Sequence, residues 1–311
     1  MTHTTKGAAV LHNPNRTAPT TGACFALAAL TLTLSGCGRP ANGGSNGRAM
    51  IQNKGSDTLV NVAQGWAEAY KDINPDLMVS VSGGGSGTGI SALINGTVDL
   101  ANCSRKMKPK EIEAARANGI EPVEFIVGFD ALAVYVHRDN PLESITLAQL
   151  ASIYGEEGTA DTWAKVGASV PGCKDGEIIR ISRQNNSGTY VYFKETVLGK
   201  SADYKLGSID LHGSKDVVDT VLHTPCAIGY SGMAYRVDGI KVLSVAVDQE
   251  TPAVAPSTSS AVDGTYPIAR PLFMYTRGEP TGAVKEYLDW ILSDEGQRII
   301  VEKGYAPVRK V

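Results

Sequence analysis

The chain is poor in the residue types that most metalloproteins and many enzymes use for chemistry. Its 311 residues include five histidines and five cysteines. No two cysteines have C-x-x-C spacing and the histidines are scattered, so no metal-ligand pattern is present in the sequence. No histidine is placed to activate a serine or cysteine nucleophile either. We therefore predict no metal, no cofactor and no enzymatic activity.

Strong charge of either sign is also lacking. Charged residues make up 20% of the chain, and the formal net charge is −3. A nucleic-acid-binding protein usually carries a clear basic excess, so this composition argues against a nucleic-acid partner. Local hydrogen-bond donors can still bind a small anion in a protein that is nearly neutral overall.

The apolar run near the N-terminus is too short to cross a membrane. It covers residues 23–34, about twelve residues where a spanning helix needs about 20. Lys6 and Arg16 precede the run, and small residues follow it, an arrangement typical of a secretory signal. We predict a signal peptide over residues 1–36 and therefore an exported protein.

The end of this signal, Leu34-Ser35-Gly36-Cys37, resembles the bacterial lipobox. That resemblance implies cleavage before Cys37 and a lipid on its sulfur, which would anchor the protein to a membrane. A plain signal peptide with a fortuitous cysteine is the alternative. Residues 37–49 are rich in glycine and asparagine and are predicted to form a flexible tether.

Three cysteines remain after the tether. Because Cys103, Cys173 and Cys226 are an odd number, at least one stays unpaired in an exported protein. Cys173 and Cys226 can form a disulfide if the fold brings them together, and the alternative is a set of buried thiols.

The segment from Ile181 to Thr189 has the composition of an anion-binding turn. Arg183 can offer a planar fork of donors to an oxyanion. Ser187 and Thr189 add hydroxyls, and Gly188 allows the backbone to approach closely. If a helix begins here, its free N–H groups favour an anion at the same place.

A second segment of this kind, residues 82–89, holds five glycines with Ser86 and Thr88 between an apolar strand and a helix-like run. A strand, a glycine loop and a helix N-terminus form a backbone cradle for phosphate-like groups. A nucleotide-binding P-loop is excluded, because its lysine is absent from this segment. The relaxed dinucleotide pattern beginning at Gly87 lacks its downstream carboxylate.

Two further segments end strand-like runs with polar residues. Ser56 and Asp57 precede an amphipathic helix predicted over residues 60–71, and either is a suitable N-cap. Ser104 follows the strand-like Val98-Asp99-Leu100-Ala101 and is a candidate anion ligand.

From residue 50 onward, short apolar strands alternate with helical runs, which is α/β patterning. In such folds ligands bind where strands end and helices begin, the position of all these polar segments. The predicted strands are 50–52, 77–81, 124–127, 132–136, 178–181, 242–247 and 266–276. The predicted helices are 60–71, 90–94, 109–118, 147–154, 191–197, 215–223 and 283–303, with Gly304 as the last C-cap and a loop over 250–265.

These segments, taken in order, resemble those of the phosphate-binding subunit of bacterial ABC phosphate importers, the PstS family. The shared motifs are Gly55-Ser56-Asp57-Thr58-Leu59, Gly85-Ser86-Gly87-Thr88-Gly89, Arg183 with Ser187-Gly188-Thr189, Ala227-Ile228-Gly229-Tyr230, Tyr266-Pro267 with Arg270-Pro271, and Ser293-Asp294-Glu295-Gly296-Gln297. The resemblance covers residues 50–308.

The resemblance implies a type II periplasmic-binding-protein fold, with two α/β lobes joined by two crossing hinge strands. Lobe 1 would hold residues 50–130 and 266–311, and lobe 2 residues 131–265. The implied function is capture of inorganic phosphate by a monomer that delivers it to the membrane subunits of an ABC permease. The implied phosphate ligands are Thr58, Leu59, Ser86, Ser104, Arg183, Ser187, Gly188 and Thr189. The motifs themselves add Ser56, Asp57, Gly87 and Thr88 as candidates.

The sequence departs from the best-known family members at two positions. Ser104 aligns with an aspartate that accepts a hydrogen bond from the proton of phosphate, and Asn185 replaces a second aspartate. A carboxylate acceptor rejects fully ionised sulfate, because two acceptors would then face each other without a proton. We hypothesise that Asp57 supplies the missing acceptor.

Three other functions stay open from the sequence. The same fold can bind sulfate, molybdate or another oxyanion. An exported phosphatase would use Ser86 or Ser187 as its nucleophile, although no base is placed to activate either. A signalling lipoprotein would use the closed form as a sensor.

Overall fold

The computed structural model describes residues 49–310, in which strands and helices alternate. The strands are β1 (Ala49–Gly55), β2 (Leu77–Ser82), β3 (Leu100–Cys103), β4 (Val123–His137), β5 (Ser144–Thr146), β6 (Ile179–Arg183), β7 (Ile209–Leu211), β8 (Ala227–Gly232), β9 (Ile240–Ala246) and β10 (Ala269–Thr276). The helices are α1 (Val60–Ile73), α2 (Ser86–Ile94), α3 (Pro109–Ala117), α4 (Leu147–Tyr154), α5 (Gly188–Phe193), α6 (Ser214–Leu222), α7 (Thr258–Val262), α8 (Gly282–Ile291) and α9 (Asp294–Glu302).

The strands form a mixed sheet in the order β2-β1-β3-β10-β4-β8-β6-β7, with β9 paired to β4 and β5 paired to β9. Strands β1, β2 and β3 are parallel, whereas β10 runs antiparallel to both β3 and β4. In the other half, β6 is parallel to β7 and β8, and β8 is antiparallel to β4. Such mixed sheets with helical crossovers are α/β architecture, as the sequence predicted.

The long strand β4 belongs to both halves of this sheet. Its residues from Val123 to Ala131 pair with β10, and those from Leu132 to Val136 pair with β8. We call the part built from β1, β2, β3, β10 and the start of β4 the first half-sheet, and the rest the second half-sheet. The two strands predicted over 124–127 and 132–136 are therefore wrong as separate elements, because one continuous strand pairs with a different partner in each part.

Each half-sheet has its own apolar core. Helix α1 buries Val62, Ala63, Trp66 and Tyr70 against the first half-sheet, as its helical spacing predicted. The Trp66 indole N–H donates to the carbonyl of Gly296 at 2.7 Å, so α1 is also tied to α9. The second half-sheet packs its own apolar cluster, centred on β4, β8 and α4.

The helix predicted over 283–303 is two helices. Helix α8 ends at Ile291, and Ser293 caps α9 by accepting a hydrogen bond from Gly296 N at 3.4 Å. The Ser293 hydroxyl also donates to the carbonyl of Trp290 at 2.7 Å. A serine that bonds its own neighbouring backbone competes with helix continuation, which explains the break. Gly304 adopts a φ of 85°, as its predicted capping position requires.

The segment predicted as a loop over 250–265 contains a short helix. Ser257 accepts a hydrogen bond from Ser260 N and thereby caps α7, Thr258–Val262. The helix predicted over 191–197 begins earlier, at Gly188, and continues as a π-helical turn, Lys194–Leu198. Both differences follow from serine caps that apolar periodicity does not reveal.

Cys173 and Cys226 form a disulfide that closes a separation of 53 residues, with their Cα atoms 5.0 Å apart. Of the two alternatives open from the sequence, the structure has the bonded one. Cys103 is the free cysteine among residues 49–310, and its burial raises the pKa of the thiol well above its ordinary value. Cys37 lies outside the described residues, as do the predicted signal and most of the tether. Within 49–310, no helix has the length and apolar character needed to cross a membrane.

Candidate functional site

The polar segments singled out in the sequence meet where the half-sheets face each other. Ser56 and Ser104 follow β1 and β3 of the first half-sheet, whereas Arg183 ends β6 of the second. Helices α2 and α5 begin beside them. The side chains brought together here are almost completely buried: Ser56, Thr58, Ser86, Ser104, Arg183, Ser187 and Thr189.

Three serines form a cluster of hydroxyls in the first half-sheet. The Ser56 hydroxyl donates to Ser104 Oγ at 2.9 Å, and the hydroxyls of Ser86 and Ser104 are 3.4 Å apart. The backbone N–H of Ser104 donates to Ser86 Oγ at 3.0 Å. These residues come from three separate segments, after β1, at the start of α2 and after β3, so only the fold brings them together.

Gly188 brings the second half-sheet against the serine cluster. A Cβ atom built on Gly188 would lie 2.3 Å from Ser86 Oγ and 2.6 Å from Ser104 Oγ. Any side chain would therefore collide with hydroxyls of the opposite half-sheet. Ser187 orients this turn by capping α5, since its Oγ accepts hydrogen bonds from Thr189 N and Tyr190 N at 3.1 and 3.5 Å.

A second bridge between the half-sheets joins two threonines. The hydroxyl oxygens of Thr58 and Thr189 are 3.1 Å apart and hydrogen-bonded. Arg270 Nη2 donates to both, at 3.3 Å to Thr58 and 3.1 Å to Thr189. Arg270 Nη1 also donates to the carbonyl of Ser104 at 3.1 Å. One guanidinium thus contacts residues of both half-sheets at the centre of the site.

Arg270 is the residue that the sequence-based site list missed. It is 1% exposed, and it donates to Asp130 Oδ2 from both Nε and Nη2. The sequence did indicate its importance, because Arg270 is a charged residue within the apolar run of β10 and belongs to the Arg270-Pro271 motif shared with the family. A charge in a buried strand needs a partner. That partner, Asp130, is 140 residues away in the sequence.

Arg183 lies where the sequence analysis expected a fixed positive charge. It is fully buried, and its guanidinium donates to the carbonyl of His212 at 3.2 and 2.6 Å and to Ser214 Oγ at 2.9 Å. Its Nη2 also lies 3.4 Å from Asp57 Oδ2. Burial lowers the pKa of Arg183, and the positive charge of Arg270 acts in the same direction, whereas Asp57 opposes both.

Asp57 does not cap α1, and that prediction is wrong for Ser56 as well. Leu59 occupies the N-cap position, and no side chain caps the helix. Asp57 Oδ1 instead accepts a hydrogen bond from Gly84 N at 2.9 Å, while Oδ2 faces Arg183 of the other half-sheet. The Ser56 hydroxyl is used by Ser104. Both side chains bond to charged or buried partners that are distant in the sequence, and such bonds are stronger than a cap on α1.

The glycine segment is shorter as a loop than the sequence suggested, because α2 begins at Ser86. Gly87 N donates to the carbonyl of Asn186 at 2.9 Å, and Asn186 Nδ2 donates to the carbonyl of Gly84 at 3.0 Å. Thr88 Oγ1 donates back to Gly84 O at 2.5 Å. Asn186 Nδ2 also lies 3.4 Å from Thr88 Oγ1, so Gly87 and Thr88 contact Asn186 across the half-sheets, outside the serine cluster.

Leu59 and Asn185 are placed differently from the polar candidates. The Leu59 side chain is fully buried in the apolar core under α1, so only its backbone can face the site. Asn185 is exposed. Of the two positions where the sequence departs from the best-known family members, Ser104 is therefore at the site and Asn185 is at the surface.

This arrangement can hold a small oxyanion. Two buried guanidinium groups, several hydroxyls and the backbone N–H groups at the starts of α2 and α5 lie where the half-sheets meet, and each is a donor from which an oxyanion can accept a hydrogen bond. In the part of the chain that the structure describes, no three His, Cys, Asp or Glu side chains are grouped to hold a metal ion. His212 accepts hydrogen bonds from Arg183 with its carbonyl oxygen, and its partly exposed imidazole lies 3.8 Å from Asp57 Oδ1.

The chain is similar to binding proteins of the PBP superfamily in both sequence and fold. Residues 40–295 match the family model described as a PBP superfamily domain. A solved structure from Clostridium perfringens, a putative phosphate ABC transporter substrate-binding protein with bound phosphate, superposes with a TM-score of 0.74 at 27% identity, covering 84% of this chain and 100% of that one. An ABC-type phosphate transport receptor from Vibrio cholerae has a TM-score of 0.65 at 25% identity, covering 82% and 99%. The type II binding-protein fold predicted from the sequence is confirmed.

The sequence comparison is more specific. The phosphate-binding protein PstS of Pseudomonas aeruginosa is 34% identical over 269 residues, which cover 83% of this chain and 83% of the relative. This chain therefore belongs to the PstS family of phosphate-binding proteins within the PBP superfamily. The family consists of binding proteins and not of enzymes.

Proposed function

We propose that this protein captures orthophosphate between its two half-sheets and delivers it to an ABC permease. The observation that carries the proposal is the contact of Arg270 with Thr58 of one half-sheet and Thr189 of the other. The serine cluster adjoins this contact, because Ser104 accepts from Arg270 and lies against Gly188, and Arg183 pairs with Asp57, the residue before Thr58. Membership of the PstS family supports phosphate as the oxyanion, since the relatives described above are phosphate-binding proteins by name.

Affinity would come from charge-assisted hydrogen bonds in a space that excludes water. Arg183 and Arg270 supply fixed positive charge, and the hydroxyls of Thr58, Ser104 and Thr189 supply short-range donors. A tetrahedral anion is small enough to be surrounded by donors from both sides. Binding both sides at once gives the ligand a preference for the closed arrangement.

The closed arrangement also has direct contacts of its own. Asn186 bonds Gly84 and Gly87 across the half-sheets, and Asp57 faces Arg183 in the same way. We propose that the half-sheets are lobes with the predicted limits, 50–130 with 266–311 and 131–265. Opening would rotate them about β4 and the segment before β10, and would break these contacts. The permease would then recognise the closed form that phosphate stabilises.

Export and anchoring complete the proposal. The signal over residues 1–36 would export the monomer, and the lipid on Cys37 would anchor it to a membrane as a periplasmic or cell-surface protein, on a tether of residues 37–49. Residues 1–48 lie outside the described part of the chain, and Ala49 is the first residue of β1. Metabolic labelling with a radioactive fatty acid, compared between the wild type and Cys37→Ser, tests the anchor. Equal labelling of both would refute it.

Titration calorimetry on residues 47–311, which form one compact unit, tests the ligand. Copurified anion is first removed, and orthophosphate is then compared with sulfate at pH 6 and pH 8. We expect tight binding of orthophosphate at both pH values and negligible binding of sulfate. Comparable binding of both ions would make this a general oxyanion receptor. Binding of neither would refute the proposal.

A further inference from the structure

Asn186 connects the two half-sheets with both its backbone and its side chain. It lies in the turn between β6 and α5 and so belongs to the second half-sheet. Its carbonyl accepts a hydrogen bond from Gly87 N at 2.9 Å, and its Nδ2 donates to the carbonyl of Gly84 at 3.0 Å. Both partners lie around the start of α2, in the first half-sheet. One residue therefore makes two hydrogen bonds that exist only while the half-sheets are together.

The bond to Gly87 caps α2 from the opposite half-sheet. The first N–H groups of a helix have no partner within the helix. Gly85 is the N-cap of α2, and no side chain caps this helix. The Asn186 carbonyl serves as the cap for the Gly87 N–H instead. When the half-sheets separate, water must replace that carbonyl, so the bond favours the closed arrangement by the net value of a hydrogen bond within the protein over one to water.

Two glycines permit the close approach of Asn186. A Cβ atom on Gly85 would lie 2.7 Å from Asn186 O, and one on Gly87 would lie 3.1 Å from the same oxygen. Gly85 also has a φ of 87°, which residues with a side chain rarely adopt. The glycine segment that the sequence indicated as an anion cradle is therefore also the surface that receives Asn186.

The Asn186 side chain is separate from the groups that are candidates to bind phosphate. The hydrogen bond between Thr58 and Thr189 also joins the half-sheets, but both threonines are candidate ligands. The Asn186 amide bonds the backbone of Gly84, which is not a candidate ligand. This side chain can therefore be replaced without removing a group that would contact phosphate.

We propose that Asn186 is a latch, a positioning residue that holds the half-sheets together without help from a ligand. Because its bonds form between groups of the protein, closing gains free energy before any anion binds. The closed arrangement is therefore populated in the unliganded protein. Once an anion is bound, the latch must break before the half-sheets can part, so it also slows release. This second consequence rests on the function proposed above.

The rate of orthophosphate release tests the latch on residues 47–311. Protein loaded with radioactive orthophosphate is chased with an excess of unlabelled orthophosphate. Asn186→Ala removes the bond to Gly84 and keeps the backbone carbonyl, so release should be about fivefold faster, since one net hydrogen bond is worth roughly two- to tenfold. Asn185→Ala is the matched control, because that neighbouring side chain is exposed. Equal rates in the two variants would overturn the latch.

Asn186→Asp separates the hydrogen bond from a loss of packing. The aspartate has nearly the same size, but one of its carboxylate oxygens would face the carbonyl of Gly84, where Nδ2 now donates. Release should therefore be at least as fast as from Asn186→Ala. A wild-type rate would show that this hydrogen bond does not hold the half-sheets together.

Small-angle X-ray scattering of the unliganded protein tests the latch without phosphate. We expect a larger radius of gyration for Asn186→Ala than for Asn185→Ala or the wild type, and equal radii once orthophosphate saturates all three. Equal radii in the unliganded proteins would overturn the proposal that the latch acts without a ligand.

The two measurements distinguish failure of the latch from failure of the proposed function. A protein that binds no orthophosphate but expands in Asn186→Ala would refute the proposed function and leave the latch standing. Tight orthophosphate binding, with neither the release rate nor the radius changed by Asn186→Ala, would refute the latch and leave the proposed function standing.

Discussion

Arg270 and Asp130 form a buried ion pair in which Nε and Nη2 donate to the same carboxylate oxygen, Asp130 Oδ2, at 3.1 and 2.7 Å. The two side chains are 1% and 0% exposed. Asp130 Oδ1 also accepts a hydrogen bond from Met233 N at 3.1 Å. The pair lies where β4 passes from one half-sheet to the other, so it holds the guanidinium against Thr58 and Thr189 at the same point.

The first prediction concerns this pair. Asp130→Ala would leave the Arg270 charge buried without its partner, which costs about 3–5 kcal/mol in comparable cases. We expect a loss of that size in the free energy of unfolding, measured by urea denaturation. Asp289→Ala is the control, because its pair with Lys285 is exposed and is worth about 0.3–0.5 kcal/mol. Similar small losses in both variants would show that the buried pair has no special role.

Arg183→Ala should remove most of the affinity for orthophosphate. A buried anion would lose a paired positive charge, and such losses are about 3–5 kcal/mol, which is more than a hundredfold in affinity. Calorimetry with orthophosphate provides the measurement. Arg138→Ala is the control, since that side chain is 69% exposed. Affinity of Arg183→Ala within threefold of the wild type would show that Arg183 does not contact the ligand.

Gly188→Ala should weaken orthophosphate binding at least tenfold. The new methyl group would lie 2.3 Å from Ser86 Oγ, so the half-sheets must separate or the serine cluster must move. Gly87→Ala is the milder comparison variant. Its methyl group would lie 3.1 Å from Asn186 O, so it needs a smaller adjustment and should weaken binding less. Both variants are titrated with orthophosphate, and equal affinities would argue against a tight approach at Gly188.

Asp57→Asn tests the acceptor hypothesis. A carboxylate can accept about four hydrogen bonds, and Asp57 uses two with Gly84 N and Arg183 Nη2, so capacity remains for the proton of phosphate. We expect the substitution to lower orthophosphate affinity more than sulfate affinity. The ratio of the two dissociation constants at pH 6 is the measurement. If both affinities change by the same factor, Asp57 acts only through Arg183.

Local sequence patterns predicted the elements that depend on local physics. The spacing of Val62, Trp66 and Tyr70 predicted α1, and the helix predicted over 147–154 has the limits of α4. The break at Ser293 was missed, because apolar periodicity continues through it and only the serine's hydrogen bonds to its neighbours end the helix. The undivided strand β4 was missed because its two parts are paired by strands distant in the sequence.

The sequence alone determined the α/β class, the polar segments at the strand ends and the resemblance to phosphate-binding proteins, because each depends on residues close together in the chain. Only the tertiary structure decided the pairing of Arg270 with Asp130, the use of Asp57 by Gly84 and Arg183, and the disulfide between Cys173 and Cys226. Those partners are separated by tens of residues or more. Their contacts exist because strand order and burial bring them together, and a buried charge or donor must then be satisfied by whichever group the fold places beside it.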